Sequence, residues 1–300
     1  MVNISEEMRQ AIAYLERGAY GYAEVWLKKA IEKHPDNAYL HTELVWCFGH
    51  RSADFTKWRA CNDYYQTVYR GTNSPAIAHF VAGEQLRLDE LYLEAERKYR
   101  KAQEAGLRHP AVDLGLARVH RAMANQKEAR ISYEAAGRHQ PFFVPALHEY
   151  AAWEFSEGNF RNLRAVVEKT ETAIDKSEFE PTCNAGEQMA DLQKFRLVVR
   201  ALEDAVLRLN EGGHREALSE FWPLFRTYKM NCPLIRNMIL MFVRADWLVT
   251  GALRMAEAFP DEGVYDLYAR GQVAWHSKKE EDALTAFNHA IDRGLVHPLV

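Results

Sequence analysis

The stretch Ala95-Glu96-Arg97-Lys98-Tyr99-Arg100-Lys101-Ala102 returns in altered letters as Ala129-Arg130-Ile131-Ser132-Tyr133-Glu134-Ala135-Ala136, and more loosely from Leu163 to Thr170. Each copy opens on a small or aliphatic residue (Ala95, Ala129, Leu163). One helical turn later comes a larger one (Tyr99, Tyr133, Val167), and a small residue closes it (Ala102, Ala136, Thr170). The step is about 34 residues. Upstream, the pairs Ala82-Gly83, Leu116-Ala117 and Tyr150-Ala151 keep the same step. Four columns in one register are not a chance alignment, and a fixed period of this length marks a stack of helical hairpins.

The register extends outward. Gly18-Ala19-Tyr20, followed by Ala23, Leu27 and Ala30, makes a first unit that closes on His34-Pro35-Asp36-Asn37. Tyr265, Leu267, Gly271, Ala274, Ala283, Phe287 and Ala290 make a last one. These residues resemble the tetratricopeptide repeat family, in which small side chains let paired helices approach and large ones fill the gap between them. The resemblance implies an all-α, right-handed superhelical solenoid of about eight helix-turn-helix repeats with a concave inner surface lined by first helices. Between Ala38 and Pro75, Leu44, Val45 and Phe48 keep a first helix, and Asp54 to Tyr69 is read as its aromatic-rich partner. The run Glu178 to Gly186 breaks the register as an inserted linker, and Glu187 to Asn210 reads as one long amphipathic helix before Gly212-Gly213. Asn231 to Pro260 supplies a further pair. The array is therefore divided into 1–177, about five repeats, and 187–300, about three.

The last repeat carries a second signal. Ala290-Ile291-Asp292-Arg293-Gly294-Leu295-Val296-His297-Pro298 repeats the internal junction Ala102-Gln103-Glu104-Ala105-Gly106-Leu107-Arg108-His109-Pro110, which there leads into another helix. Two expectations follow. Either the apolar side of the Ala283 to Asp292 helix pairs with a second copy or a partner, or the chain is the front part of a longer parent.

Composition narrows the function. With 48% hydrophobic and 27% charged residues, the 300-residue chain buries a core and is not generally disordered. A net charge of −4 and a pI near 6.3 argue against gripping nucleic acid or anionic lipid. The start Met1-Val2-Asn3-Ile4-Ser5-Glu6-Glu7 has neither a basic nor an apolar run, and no segment is apolar enough to insert into a membrane, so the chain reads as cytoplasmic. Cys47, Cys61, Cys183 and Cys232 show no metal or disulfide spacing. HExxH, GxSxG and GxxxxGK[ST] are all missing: His148-Glu149 is followed by Tyr150-Ala151-Ala152. The reading is a non-enzyme that needs no metal or cofactor. The basic cluster Arg97-Lys98-Arg100-Lys101 is interleaved with Glu94, Glu96 and Glu104 at helical spacing, which describes a solvated, ion-paired face.

The candidate binding surface follows from the register. Its groove residues are Tyr39, Glu43, Trp46 and His50 in the second unit and Ile77, Phe80, Glu84 and Arg87 in the third. The fourth adds Leu114, Arg118 and Arg121, and the fifth His148, Glu149 and Phe155. An aromatic and apolar wall with scattered charge of both signs suits a protein or peptide ligand better than a polyanion. Some members of the resembled family clamp acidic chaperone tails with lysine, asparagine and arginine. Here Ile12, Glu43 and Glu84 occupy the asparagine places, so that subfamily is not indicated. The function expected is a protein-interaction scaffold within a larger assembly. Its alternatives are the substrate-recruiting region of a longer enzyme, such as a glycosyltransferase or a signalling protein, and a scaffold that self-assembles as a homo-oligomer through its C-terminal end.

Overall fold

The structure, a computed structural model, describes residues 5–51, 74–139, 141–176, 184–211 and 263–295, with isolated positions between them. Among the described residues the chain forms twelve α-helices. They are α1 (Glu6–Glu16), α2 (Tyr20–Lys33), α3 (Ala38–Arg51), α4 (Pro75–Leu88), α5 (Tyr92–Glu104), α6 (Pro110–Ala122), α7 (Gln126–Ala136), α8 (Val144–Ser156), α9 (Phe160–Lys176), α10 (Ala185–Asn210), α11 (Val264–His276) and α12 (Glu280–Asp292). Of the helix expected over Asp54 to Tyr69 only Asp63, Tyr64 and Thr67 are described, each helical, and the pair expected over Asn231 to Pro260 lies outside the described residues. The single long helix expected from Glu187 to Asn210 is present as α10. No helix among the described residues is long and apolar enough to cross a membrane.

First helices start on chemistry that the sequence carries locally. Ser5 Oγ accepts from the Met8 amide at 3.3 Å, and Ser74 Oγ accepts from the Ile77 amide at 3.4 Å. Pro75 and Pro110 occupy the first turns of α4 and α6, where a missing N–H costs nothing and φ is already helical. Second helices instead inherit their start from the turn before them. At Gly18, Glu90, Ala124, Gly158 and Lys278 the backbone is left-handed, with φ of 68°, 60°, 58°, 64° and 59°. In every case the next amide closes on the carbonyl five residues back: Ala19 on Tyr14, Leu91 on Leu86, Asn125 on His120, Asn159 on Glu154 and Lys279 on Ala274, at 2.8–2.9 Å. One C-terminal cap thus makes the hairpin bend five times. The junctions between hairpins use the same closing bond at a wider φ, with Gly106 and Gly294 at 96° and 95° and Leu107 and Leu295 bonded back to Ala102 and Ala290 at 3.0 Å.

By compactness the chain forms two units, residues 1–150 with 169–190, and residues 151–168 with 191–300. In the first, α1 packs on α2, α2 on α3, α3 on α4, α4 on α5, α5 on α6 and α6 on α7, with added contacts of α3 and α4 to α6. Such sequential helix pairing is consistent with helical repeats. Ala95, Ala129, Ala102 and Ala136 are fully enclosed, and so is Tyr99. A Cβ on Gly83 would stand 2.9 Å from Tyr99 Cδ1, and one on Gly115 2.7 Å from Tyr99 Cζ, so the ring fits only because α4 and α6 present bare backbone. The segment expected as a linker, 178–186, contributes Phe179, whose backbone pairs with Phe142 and whose ring lies 6.5 Å from it.

In the second unit, Leu163, Val166 and Val167 of α9 and Leu192, Val198, Val199 and Leu202 of α10 are buried. Helices α11 and α12 form a closed pair. Here a Cβ on Gly271 would lie 2.5 Å from Phe287 Cδ1, the same glycine-against-ring device as Gly83 with Tyr99.

Candidate functional site

The carboxylates and guanidinium groups of successive first helices gather in the first unit. On α4, Arg87 Nη2 donates to Glu84 Oε2 at 2.8 Å, and the Tyr99 hydroxyl of α5 donates a short bond to the other oxygen of the same carboxylate. One step along, Arg118 of α6 donates through Nε to Glu149 Oε2 of α8 at 2.9 Å. The Tyr133 hydroxyl of α7 donates to Glu149 Oε1 at 2.8 Å, and Arg121 Nη1 lies 3.6 Å from that same oxygen. Each carboxylate is therefore shared between a guanidinium of a first helix and a tyrosine of a second helix.

The electrostatics follow from this sharing. Burial works against the charge on Glu84, but the adjoining Arg87 and the Tyr99 hydroxyl overcome it and hold the carboxyl below its ordinary range. Glu149 behaves alike, with burial opposed by Arg118, Tyr133 and Arg121. Tyr99 and Tyr133 are pushed up by burial and by their anionic acceptors, so both keep their protons. Glu43 on α3 is different: burial pushes its carboxyl up to about 6, and the Tyr39 hydroxyl and Arg118 pull back only in part. The basic face of α5 carries the expected ion pairing, with Arg100 Nη2 2.7 Å from Glu96 Oε1.

The structure divides the expected groove residues by role. Arg87, Arg118 and Arg121 keep 20%, 30% and 44% of their side chains exposed, with Glu149 at 22%. Glu43 and His148 are half-buried. Tyr39, Ile77, Phe80, Leu114 and Glu84 are buried. Phe80 lies 6.0 Å from the Tyr99 ring, and Tyr39 meets Phe143 edge-on at 5.4 Å. These apolar side chains hold helices together, because each sits where a neighbouring helix already covers it. Phe155 is half-buried at 5.0 Å from Phe195, within the second unit. The side chains of Trp46 and His50 lie outside the described residues.

Sequence reasoning missed the two tyrosines. Tyr99 and Tyr133 form a packing column in the sequence, and their rings do pack, yet their hydroxyls also donate to Glu84 and Glu149 and add to the larger effect of Arg87 and Arg118 in keeping those carboxylates charged. The available signal was a tyrosine rather than a phenylalanine in a fully enclosed column, since a buried hydroxyl requires a partner. His41 was likewise unmarked: its Nδ1 lies 2.8 Å from the Tyr64 hydroxyl and its Nε2 2.9 Å from the Pro35 carbonyl oxygen. Burial lowers its pKa, so the imidazole is held neutral.

Among the described residues no group of three His, Cys, Asp or Glu side chains is placed to hold a metal ion. The arrangement offers partly exposed guanidinium donors, already oriented by carboxylates, along consecutive first helices. Such a row is suited to hydrogen bonding and ion pairing with a polar ligand. A scan against protein-family models finds none that matches the chain, and a search of curated proteins finds no match.

Proposed function

We propose that the chain is a cytoplasmic, non-enzymatic scaffold of tetratricopeptide type, a right-handed solenoid whose first helices hold a peptide or helical segment of another protein within a larger assembly. The observation that carries this reading is the row Arg87, Arg118 and Arg121, oriented by Glu84 of Arg87's own helix and by Glu149 of the next first helix, and left partly open to solvent. Pre-oriented arginines give a binding surface low entropic cost and directional donors, and arginine is enriched among side chains that dominate interface energies. Because the apolar side chains of the same helices are buried, the ligand is read by its polar groups at this row.

The test is affinity purification from the native cell with the wild-type chain and with Arg118→Met/Glu149→Gln. The double change removes both charges together, which avoids stranding one of them in a poorly solvated place. Recovery of the co-purifying protein should fall about tenfold or more, while far-ultraviolet circular dichroism stays unchanged. Undiminished recovery would place the binding surface elsewhere.

A further inference from the structure

Two kinds of joint hold the helices of the first unit together. From α4 to α8 the joints are locked. The Tyr99 ring of α5 is wedged against the bare backbone of both α4 and α6, at Gly83 and Gly115, and the bonds of Arg118 and Tyr133 to Glu149 tie α6 and α7 to α8. Helices α1–α3 are built apart from these. Met8, Leu15, Leu27, Leu40 and Leu44 belong to a buried core drawn from α1, α2 and α3, with Tyr64 packed against it; among the described residues it takes in no side chain from α4 onward. A group of helices with a core of its own can shift against its neighbours without giving up that core.

Helix α3 serves that core on one side and meets the rest of the unit on another. Leu40 and Leu44 pack with α1 and α2, whereas Tyr39 and Glu43, one turn apart, are turned toward Phe143 and Arg118. The Tyr39 ring stands edge-on to Phe143 at 5.4 Å, and Phe143 meets the His109 ring at 5.9 Å. Glu43 accepts from the Tyr39 hydroxyl and lies within the field of Arg118, where α3 approaches α6. Helix α3 also lies against α4. The described side chains at the seam with α6 and α8 thus make an aromatic edge contact and an approach of opposite charges, and among the described residues no glycine-against-ring interlock fastens it. Burial of the Glu43 carboxyl is offset only in part by these partners, so closing the seam carries an electrostatic cost. Closure also gives Arg118, already bonded to Glu149, a second carboxylate neighbour in Glu43.

We propose that α1–α3 is a lobe that swings as one body against α6 and α8, parting at Tyr39 and Glu43 and so uncovering Phe143 and the Glu43 side of Arg118. Its consequence for ligand access to Arg118 rests on the arginine row being the binding surface. The movement itself does not, and the test reads it without a ligand, so either idea can fail alone. The full chain and the variants Glu43→Arg and Glu43→Lys are given brief hydroxyl-radical pulses, and side-chain oxidation is read by mass spectrometry. Either change sets a second cation against Arg118, the lysine more mildly because its slim stem reaches solvent. In Glu43→Arg, oxidation of Tyr39 and Phe143 should rise about threefold or more over wild type, and in Glu43→Lys by less. Met8, inside the lobe, and Tyr99, inside the locked helices, should stay at the wild-type level in the same samples. Unchanged Tyr39 and Phe143 in both variants would overturn the proposal, because the seam would not part there. So would Met8 rising in step with the two rings in every variant that shows a rise, since α1–α3 would then be unfolding instead of moving whole. An equal rise at Tyr99 would overturn it as well, by showing that the whole unit loosens.

Discussion

Helices α4–α5 and α11–α12 share turns, glycine-against-ring packing and junction, yet they are finished in opposite ways. In the first pair Glu84 is buried and served by Arg87 and Tyr99. In the second the same places hold Gln272, buried, Trp275, 56% exposed, and Phe287. One backbone plan thus tolerates a charged or a neutral inner position, provided that all three side chains change together. A buried carboxylate needs its guanidinium and its hydroxyl, and a buried amide needs neither.

The largest expected effect comes from breaking that agreement. Gln272→Glu places a carboxylate at a buried site with a tryptophan where arginine is required, and should cost about 3 to 5 kcal/mol at neutral pH. Adding Trp275→Arg should recover much of it. The sign with pH is fixed by burial, which favours the protonated acid, so the penalty of the single variant should shrink as pH falls into the carboxylate range. Urea denaturation of both variants across pH measures this, and a single variant as stable as wild type would show that the two pairs are not built on one plan.

A smaller effect is expected at Glu43, the acid of the first unit that lacks a full set of partners. Its carboxyl titrates near 6 when folded and near 4.5 otherwise, so the folded chain binds the extra proton between those values and wild-type stability falls as pH rises through them. Glu43→Gln should therefore match wild type near pH 4.5 and exceed it by about 1 to 2 kcal/mol above pH 7. A gain that is equally large at pH 4.5 would show that burial of charge is not the cause.

The smallest effect separates the hairpin turns. Ala124 and Gly158 share the left-handed bend, at φ 58° and 64°. Ala124→Gly should relieve about 1 to 2 kcal/mol of strain and lose about 0.5 to 1 kcal/mol to chain entropy, a net gain of about 0 to 1.5 kcal/mol. Gly158→Ala should lose a similar amount in a thermal melt. Opposite signs would mean that neighbouring contacts, rather than φ, govern these turns.

Much of the helical plan was legible because it is local. The columns Ala95 and Ala129, Tyr99 and Tyr133, Ala102 and Ala136 lie on the packed sides of their helices, as their period required. The site was less legible. Tyr39, Ile77, Phe80 and Leu114 share the first-helix register with Arg87 and Arg118, but a register of this kind does not say which of two adjoining helix faces another helix will cover. The approach of α3 to α6, and of Tyr39 to Phe143, joins residues about seventy and about a hundred positions apart, and no short-range pattern encodes it.

By itself the sequence determined which residues make helices, where the chain bends, and which small side chains let neighbours close together, since these depend on backbone sterics and on a period that repeats along the chain. Only the tertiary structure decided that Glu84 and Glu149 stay charged, that Glu43 is raised, that Phe80 is covered and Leu284 is open. Charge and exposure are set by what surrounds a side chain in space, and those surroundings are assembled from helices that are distant in the chain.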